Sequence, residues 1–238
     1  MEQEMNPKRL LVVTLTKGFR HGDSIAVLEE LLPELGKQKA SFNVDFVRTD
    51  AEMAAKMTPE ALKQYDAVFF GNTTGDLPLP GREAFLKWIN SGKAFIGVHS
   101  ATDTFHGFPP YIEMIGGEFK THGPQSKVTL LIADEKHPAA KPFRGPTEVF
   151  DEIYQFKNFD PTTFRDILHL DKHPNDGTPG YYPIAWAKRY GKGRVFYTAL
   201  GHRTDIWKSE WYQAHLLGGI RWALGLEKGD DKPQRKKS

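Results

Sequence analysis

The 238-residue chain contains no cysteine. Disulfides, thiolate catalysis and cysteine-ligated zinc are therefore excluded. No apolar run approaches the roughly 18 residues that span a bilayer. The opening residues MEQEMNPKR lack the apolar segment of a signal peptide, so a cytoplasmic setting is expected. An excess of either charge is missing too: 32 Lys and Arg against 30 Asp and Glu leave a net +2. That balance predicts no nucleic-acid and no membrane partner. There is no internal repeat and no linker, which favours one domain. GNTTGD matches neither G-x-G-x-x-G nor the P-loop, so no nucleotide is expected.

What is present reads as an α/β domain. RLLVVTLT (9–16) is a continuous apolar run, the mark of a strand buried on both faces. Asp23 is the expected N-cap of a helix over about 24–35, with Leu28, Leu31, Leu32 and Leu35 on one face and Gly36 at its end. FNVDFV (42–47), YDAVFF (65–70) and KAFIGV (93–98) read as further strands, with a helix over about 82–91 and a short one near TPEALKQ. This β-α-β-β-α-β order predicts a single doubly wound, mainly parallel sheet with helices on both faces. The second half adds strand candidates at 127–134, 148–156, 165–171, 182–190 and 193–202, and a last helix at about 209–224. Residues 1–8 read as an extension, 9–226 as the domain, and 227–238 as a disordered charged tail.

In doubly wound sheets ligands bind at the carboxyl ends of the strands. The loops there are KGFRHGD, GNTTGD and HSATDTFHG. The third opens with G-V-H-S-A (97–101) directly after a strand. A nucleophile elbow needs small residues two positions either side of the residue at its tip. Gly97 and Ala101 fill those places, which puts His99 at the tip rather than Ser100.

The elbow and strand order resemble the class I glutamine amidotransferase-like, flavodoxin-like fold. Within that superfamily the chain closely resembles the ThuA, or trehalose-utilisation, family. The segments carrying the resemblance include FRHGDSI, FFGNTTGD, GKAFIGVHSATDTF, YIEMIGGEFKTHGP, DEIYQF, YPIAWAKRYGKGRVFYTALGH and WYQAHLLGGIRWALG. Amidotransferases carry cysteine at the elbow and form a thioester there. A chain without cysteine cannot use that route. The resemblance places His202, after GRVFYTALG, beside the elbow. It implies carbohydrate catabolism on a keto-sugar glycoside, such as a 3-keto-disaccharide.

Imidazole can act as base, acid or metal ligand near neutral pH. The expected catalytic set is His99, His202, Asp103, His21 and Glu152. His99 or His202 removes the proton next to the ketone, and Asp103 or Glu152 assists the leaving group. Asn72, Thr73, Ser100, His122, Tyr154 and Arg20 are expected to contact the sugar, with Tyr154 stacking on its apolar face. Tyr197 and Trp207 are further stacking candidates, and Trp186 reads as packing. His106 reads as solvated, His137, His169 and His215 as structural. His21, His99 and His202 are also metal candidates, with zinc the expected cofactor if one is bound. No H-x-x-x-H or H-E-x-x-H pair supports that from spacing alone. A metal-dependent hydrolase of another small polar substrate and a non-catalytic sugar-binding module remain as alternatives. A small-molecule sugar is the expected partner, and a homo-oligomer is left open.

Overall fold

The computed structural model describes residues 6–38 and 41–235. A nine-stranded sheet runs through it, in spatial order β2-β1-β3-β4-β11-β10-β9-β6-β7. Its strands are β1 (Lys8–Val13), β2 (Phe42–Val47), β3 (Ala67–Gly71), β4 (Ala94–Val98), β6 (Ser126–Ile132), β7 (Thr147–Asp151), β9 (Arg165–Lys172), β10 (Pro179–Tyr190) and β11 (Gly193–Thr198). β5 (Glu118–His122) and β8 (Tyr154–Lys157) form a separate antiparallel ribbon.

The pairings of β2, β1, β3, β4 and β11 are all parallel. Those of β11, β10, β9, β6 and β7 are all antiparallel. The sheet is therefore mixed, and the expected mainly parallel character holds for its first half only. The reason is local. β10 and β11 are joined by a tight turn at Gly191 (φ 58°), which reverses the chain where a crossover helix would be needed for parallel pairing.

The continuous apolar runs are explained by cover on both faces. Along β1, Leu10 and Val12 enter one core with Leu28 and Leu32 of α1 (Gly22–Lys37). Trp207 of α6 (Thr204–Lys208) and Leu216 of α7 (Glu210–Ala223) belong to that same core. Leu11 and Val13 point the other way. There they join Met53 of α2 (Asp50–Lys56), Leu62 of α3 (Pro59–Leu62), Phe85 of α4 (Arg82–Asn90) and Tyr111 of α5 (Pro109–Ile115). Alternation by two along the strand sends successive side chains to opposite faces, so every position is apolar.

Three expectations change in detail. His21, not Asp23, holds the N-cap of α1, and it makes no side-chain capping bond. The helix also passes through Gly36, where a Cβ would sit 2.2 Å from the Phe42 carbonyl. That glycine is set by the close approach of β2, not by a helix stop. The run 148–156 is two strands in different sheets, β7 and β8, broken at Glu152 and Ile153.

The tail differs as well. Arg165 bonds Asp230 and the Lys232 carbonyl, each at 3.1 Å, and Gln234 accepts from the Asp166 backbone at 2.8 Å. Residues 230–234 are thus tied to β9 in the antiparallel half of the sheet. Residues 236–238 of the expected tail fall outside the described residues.

Candidate functional site

The switch in strand order lies between β1 and β3, each flanked by a strand of later crossover. Loops after β1, β3, β4 and β11 therefore open on one edge, where such sheets hold ligands. The loop after β4 makes the sharpest turn. His99 has φ 48°, a left-handed conformation that non-glycine residues rarely adopt. A Cβ on Gly97 would meet Ile115 and Tyr197 at 3.1 Å and Ala101 at 3.2 Å. The small residues either side of the tip are there because the turn leaves no room.

His99 is completely buried. Its Nδ1 lies 2.8 Å from the Ala199 carbonyl. A carbonyl only accepts, so Nδ1 carries a proton, and in the neutral ring Nε2 presents the lone pair. That Nε2 has no hydrogen-bond partner. Its nearest charged neighbour is Glu152 Oε1 at 3.5 Å. His202 Nδ1 lies 3.3 Å from the same oxygen and is likewise unpartnered. The His21 ring stands edge-on to those of His99 and His202, with centroids 4.8 and 5.2 Å away. Its Nδ1 is 3.4 Å from Ser100 Oγ. His21, His99, Glu152 and His202 each bring one ligand-type atom within 4.8 Å of all the others.

The charges in the cluster are strongly coupled. Burial, then the neighbouring His99 and His202, pull His21 down to about 3, so it is neutral near pH 7. Burial alone would raise Glu152, but its contacts with His202 and His99 hold it well below the usual carboxylate range. Burial also works against a charged His202, and Glu152 outweighs it to raise that imidazole above its ordinary value.

Around this centre sits a ring of supports. Tyr154, at 3% exposure, lays its ring 4.3 Å from that of His99. Asp151 is buried and accepts from the backbone N–H groups of Gly201 and Arg203 at 2.8 and 3.2 Å. It braces the loop that carries His202. Asn72, also left-handed at φ 52°, donates to the Gly201 carbonyl at 3.1 Å and ties the loop after β3 to the same place. His122, at the end of β5, lies on the rim. Its Nδ1 donates to the Gly123 carbonyl at 2.9 Å and lies 3.4 Å from Glu152 Oε2. By the carbonyl argument used for His99, the neutral form of the ring has its lone pair on Nε2.

Several expected residues lie elsewhere or serve otherwise. Asp103 pairs with His106 Nε2 at 2.5 Å, and His106 Nδ1 meets Glu118 at 2.6 Å. His106 is thus held between two carboxylates, not merely solvated. Thr73 is buried against the Thr104 hydroxyl at 2.8 Å. Arg20 is exposed and bonds the Thr14 carbonyl at 3.1 Å. Tyr197 and Trp207 are fully buried, and Tyr154 nearly so, which leaves them no face for a sugar. Glu152, held ionised, is unsuited to the role of acid.

Sequence reasoning missed Asp151 and Phe19. The first is hidden by its neighbour Glu152 in an apparently unbroken strand. The second is 70% exposed beside His21, with ring centroids 4.9 Å apart. An exposed phenylalanine next to a histidine on a strand-end loop was the available signal.

The model of the ThuA family, described as trehalose utilisation, matches residues 9–223. No curated protein matches the chain. Among solved structures, a ThuA-like protein from Bacteroides uniformis superposes with a TM-score of 0.76 at 20% identity, covering 94% of each chain. A second, from Parabacteroides merdae, gives 0.76 at 21% identity, covering 97% of this chain and 93% of that one. A β-galactosidase from Bacillus circulans gives 0.58 at 13% identity over 96% of this chain and 32% of its own. At these identities the likenesses speak for the fold alone. Among the described residues no helix is long and apolar enough to cross a membrane.

Proposed function

Because this chain belongs to the ThuA family, whose described role is trehalose utilisation, we propose that it cleaves a keto-sugar glycoside by elimination and hydration. The substrate class is a disaccharide oxidised to a ketone at C3. The observation that supports the reading is the convergence of three imidazoles and the Glu152 carboxylate at the sheet edge, with His99 Nε2 unpartnered.

A C3 ketone acidifies the C2 proton. His122 Nε2, on the rim and free to accept, takes that proton. The electron pair moves into an enolate, whose oxygen sits at the His21, His99, Glu152 and His202 cluster. The enolate then expels the glycosidic oxygen from C1, and the proton held by His122 goes to that departing oxygen. Water adds to the resulting enone at C1, and C2 regains a proton from solvent. The net change is hydrolysis. Phe19 offers the apolar platform for the sugar ring, the role expected of Tyr154.

The reading is tested by incubating the protein in D2O with 3-keto-trehalose and, separately, with trehalose. Cleavage of the keto-sugar alone, with deuterium at C2 of the keto product, is expected. Cleavage of trehalose, or of the keto-sugar without deuterium uptake, would sink the mechanism. Replacing Phe19 with Ala is expected to raise KM roughly tenfold, the value of about 1.4 kcal/mol of lost contact, and to leave kcat within a factor of two. An unchanged KM would remove Phe19 from the binding site.

A further inference from the structure

The geometry points to a divalent transition-metal site built from His21, His99, Glu152 and His202. The inference concerns the same cluster as the proposed reaction but does not depend on the identity of the sugar.

The distances separate an ion pair from a ligand set. Charge-assisted hydrogen bonds between imidazolium and carboxylate close to about 2.7–2.9 Å. Here His202 Nδ1 and His99 Nε2 stop at 3.3 and 3.5 Å from Glu152 Oε1, and neither nitrogen has a hydrogen-bond partner. Ligands bound at about 2.0–2.1 Å in a tetrahedron lie roughly 3.3 Å apart. Those two separations match the edges of a tetrahedral ligand set, and all four ligand atoms lie within 4.8 Å of one another.

The outer contacts agree. The bond from His99 Nδ1 to the Ala199 carbonyl fixes the tautomer that directs Nε2 inward, the usual support for a ligating histidine. Ser100 stands by His21 Nδ1, and Asp151 braces the His202 loop. The backbone of His99 is held at a strained φ, a cost kept where function needs an oriented group. His202 and Glu152 side chains are 21% and 11% exposed while His99 is 0%. The centre is therefore closed behind and open toward the rim, the side from which a substrate oxygen would enter as a fifth ligand. Three imidazoles and a carboxylate suit Zn2+ first, with Mn2+, Fe2+ and Co2+ as weaker occupants. Such an ion would take the ketone oxygen and carry the enolate charge.

The experiment uses tag-free protein stripped with a chelator, and Zn2+ alone as the probe. Calorimetry is expected to give one equivalent of saturable binding, and the Tm should climb as Zn2+ is added. Co2+ should give visible d–d bands. His202→Ala and Glu152→Gln should each weaken Zn2+ binding at least about 100-fold. The surface variant His173→Ala should not. Should Glu152→Gln fail to fold, His202→Ala decides, since that side chain is partly exposed. Binding well below one equivalent, or undiminished in His202→Ala, overturns the site. Zn2+ binding without keto-sugar cleavage upholds the site and removes the proposed reaction. Cleavage at full rate by stripped protein does the reverse.

Discussion

Replacing His99 with asparagine is expected to lower kcat on a 3-keto-disaccharide by about 10³-fold, the scale of losing one oriented group of the catalytic centre. The Tm should move by only a few degrees. The choice of asparagine follows from the backbone. His99 sits at φ 48°, and asparagine tolerates left-handed geometry better than other non-glycine residues. It therefore keeps the elbow while deleting the inward lone pair. Alanine at the same place should lose as much activity and more stability. Its Cβ remains in a left-handed turn at a cost of roughly 1–2 kcal/mol, and the vacated imidazole leaves a cavity beneath the Tyr154 ring. Steady-state kinetics and thermal unfolding on the two variants check this. Asparagine activity within tenfold of the parent would mean that His99 only shapes the turn.

The second large effect is on stability against pH, and it arises in histidines outside the cluster. His215 is fully buried in α7. Its Nδ1 donates to the Ala139 carbonyl at 2.7 Å, and its Nε2 pairs with the Thr198 hydroxyl at 3.1 Å. His137 is fully buried too, its Nδ1 accepting from the Ala139 backbone N–H at 3.2 Å. Burial pulls both down to about 4. Around His137, Asp134 and Glu227 oppose the shift while His215 and Arg165 add to it. The folded values lie below the ordinary 6.5, so the unfolded chain binds more protons between about pH 6.5 and 4. The stability is fully present above 6.5 and is lost as pH falls through that window. Each histidine is expected to cost about 2 kcal/mol on going from pH 7.5 to 5. Urea unfolding across this range, compared with His215→Gln, reads the effect directly. The variant should show a pH dependence shallower by about 2 kcal/mol. Parallel profiles would exclude His215 as the source.

Much of the first half of the fold was legible because its signals are local. A strand covered on both faces must be apolar at every buried position, and residues 10–13 of β1, β3 and β4 are. The second half misled because antiparallel pairing depends on partners far along the chain. The run 148–156 reads as one strand, since nothing in its apolar pattern reveals that Thr147–Asp151 pairs with β6 and Tyr154–Lys157 with β5. That break is what sets Glu152 at the site and lets Asp151 brace the facing loop.

The sequence by itself determined that no thiolate chemistry is available here. It also determined that an elbow flanked by Gly97 and Ala101 presents a histidine, because steric demands at a tight turn act over five residues. Tertiary structure alone decided which histidines meet. His21, His99 and His202 are brought together by parallel strands ending on one edge, and the separations of 78 and 103 residues between successive members carry no local signal. It also drew Asp103 away to His106, turned Tyr154 from a sugar platform into the floor beneath His99, and left Phe19 exposed at the rim. Convergence of this kind is a property of strand order, which is fixed by long-range pairing and by burial on both faces of the sheet.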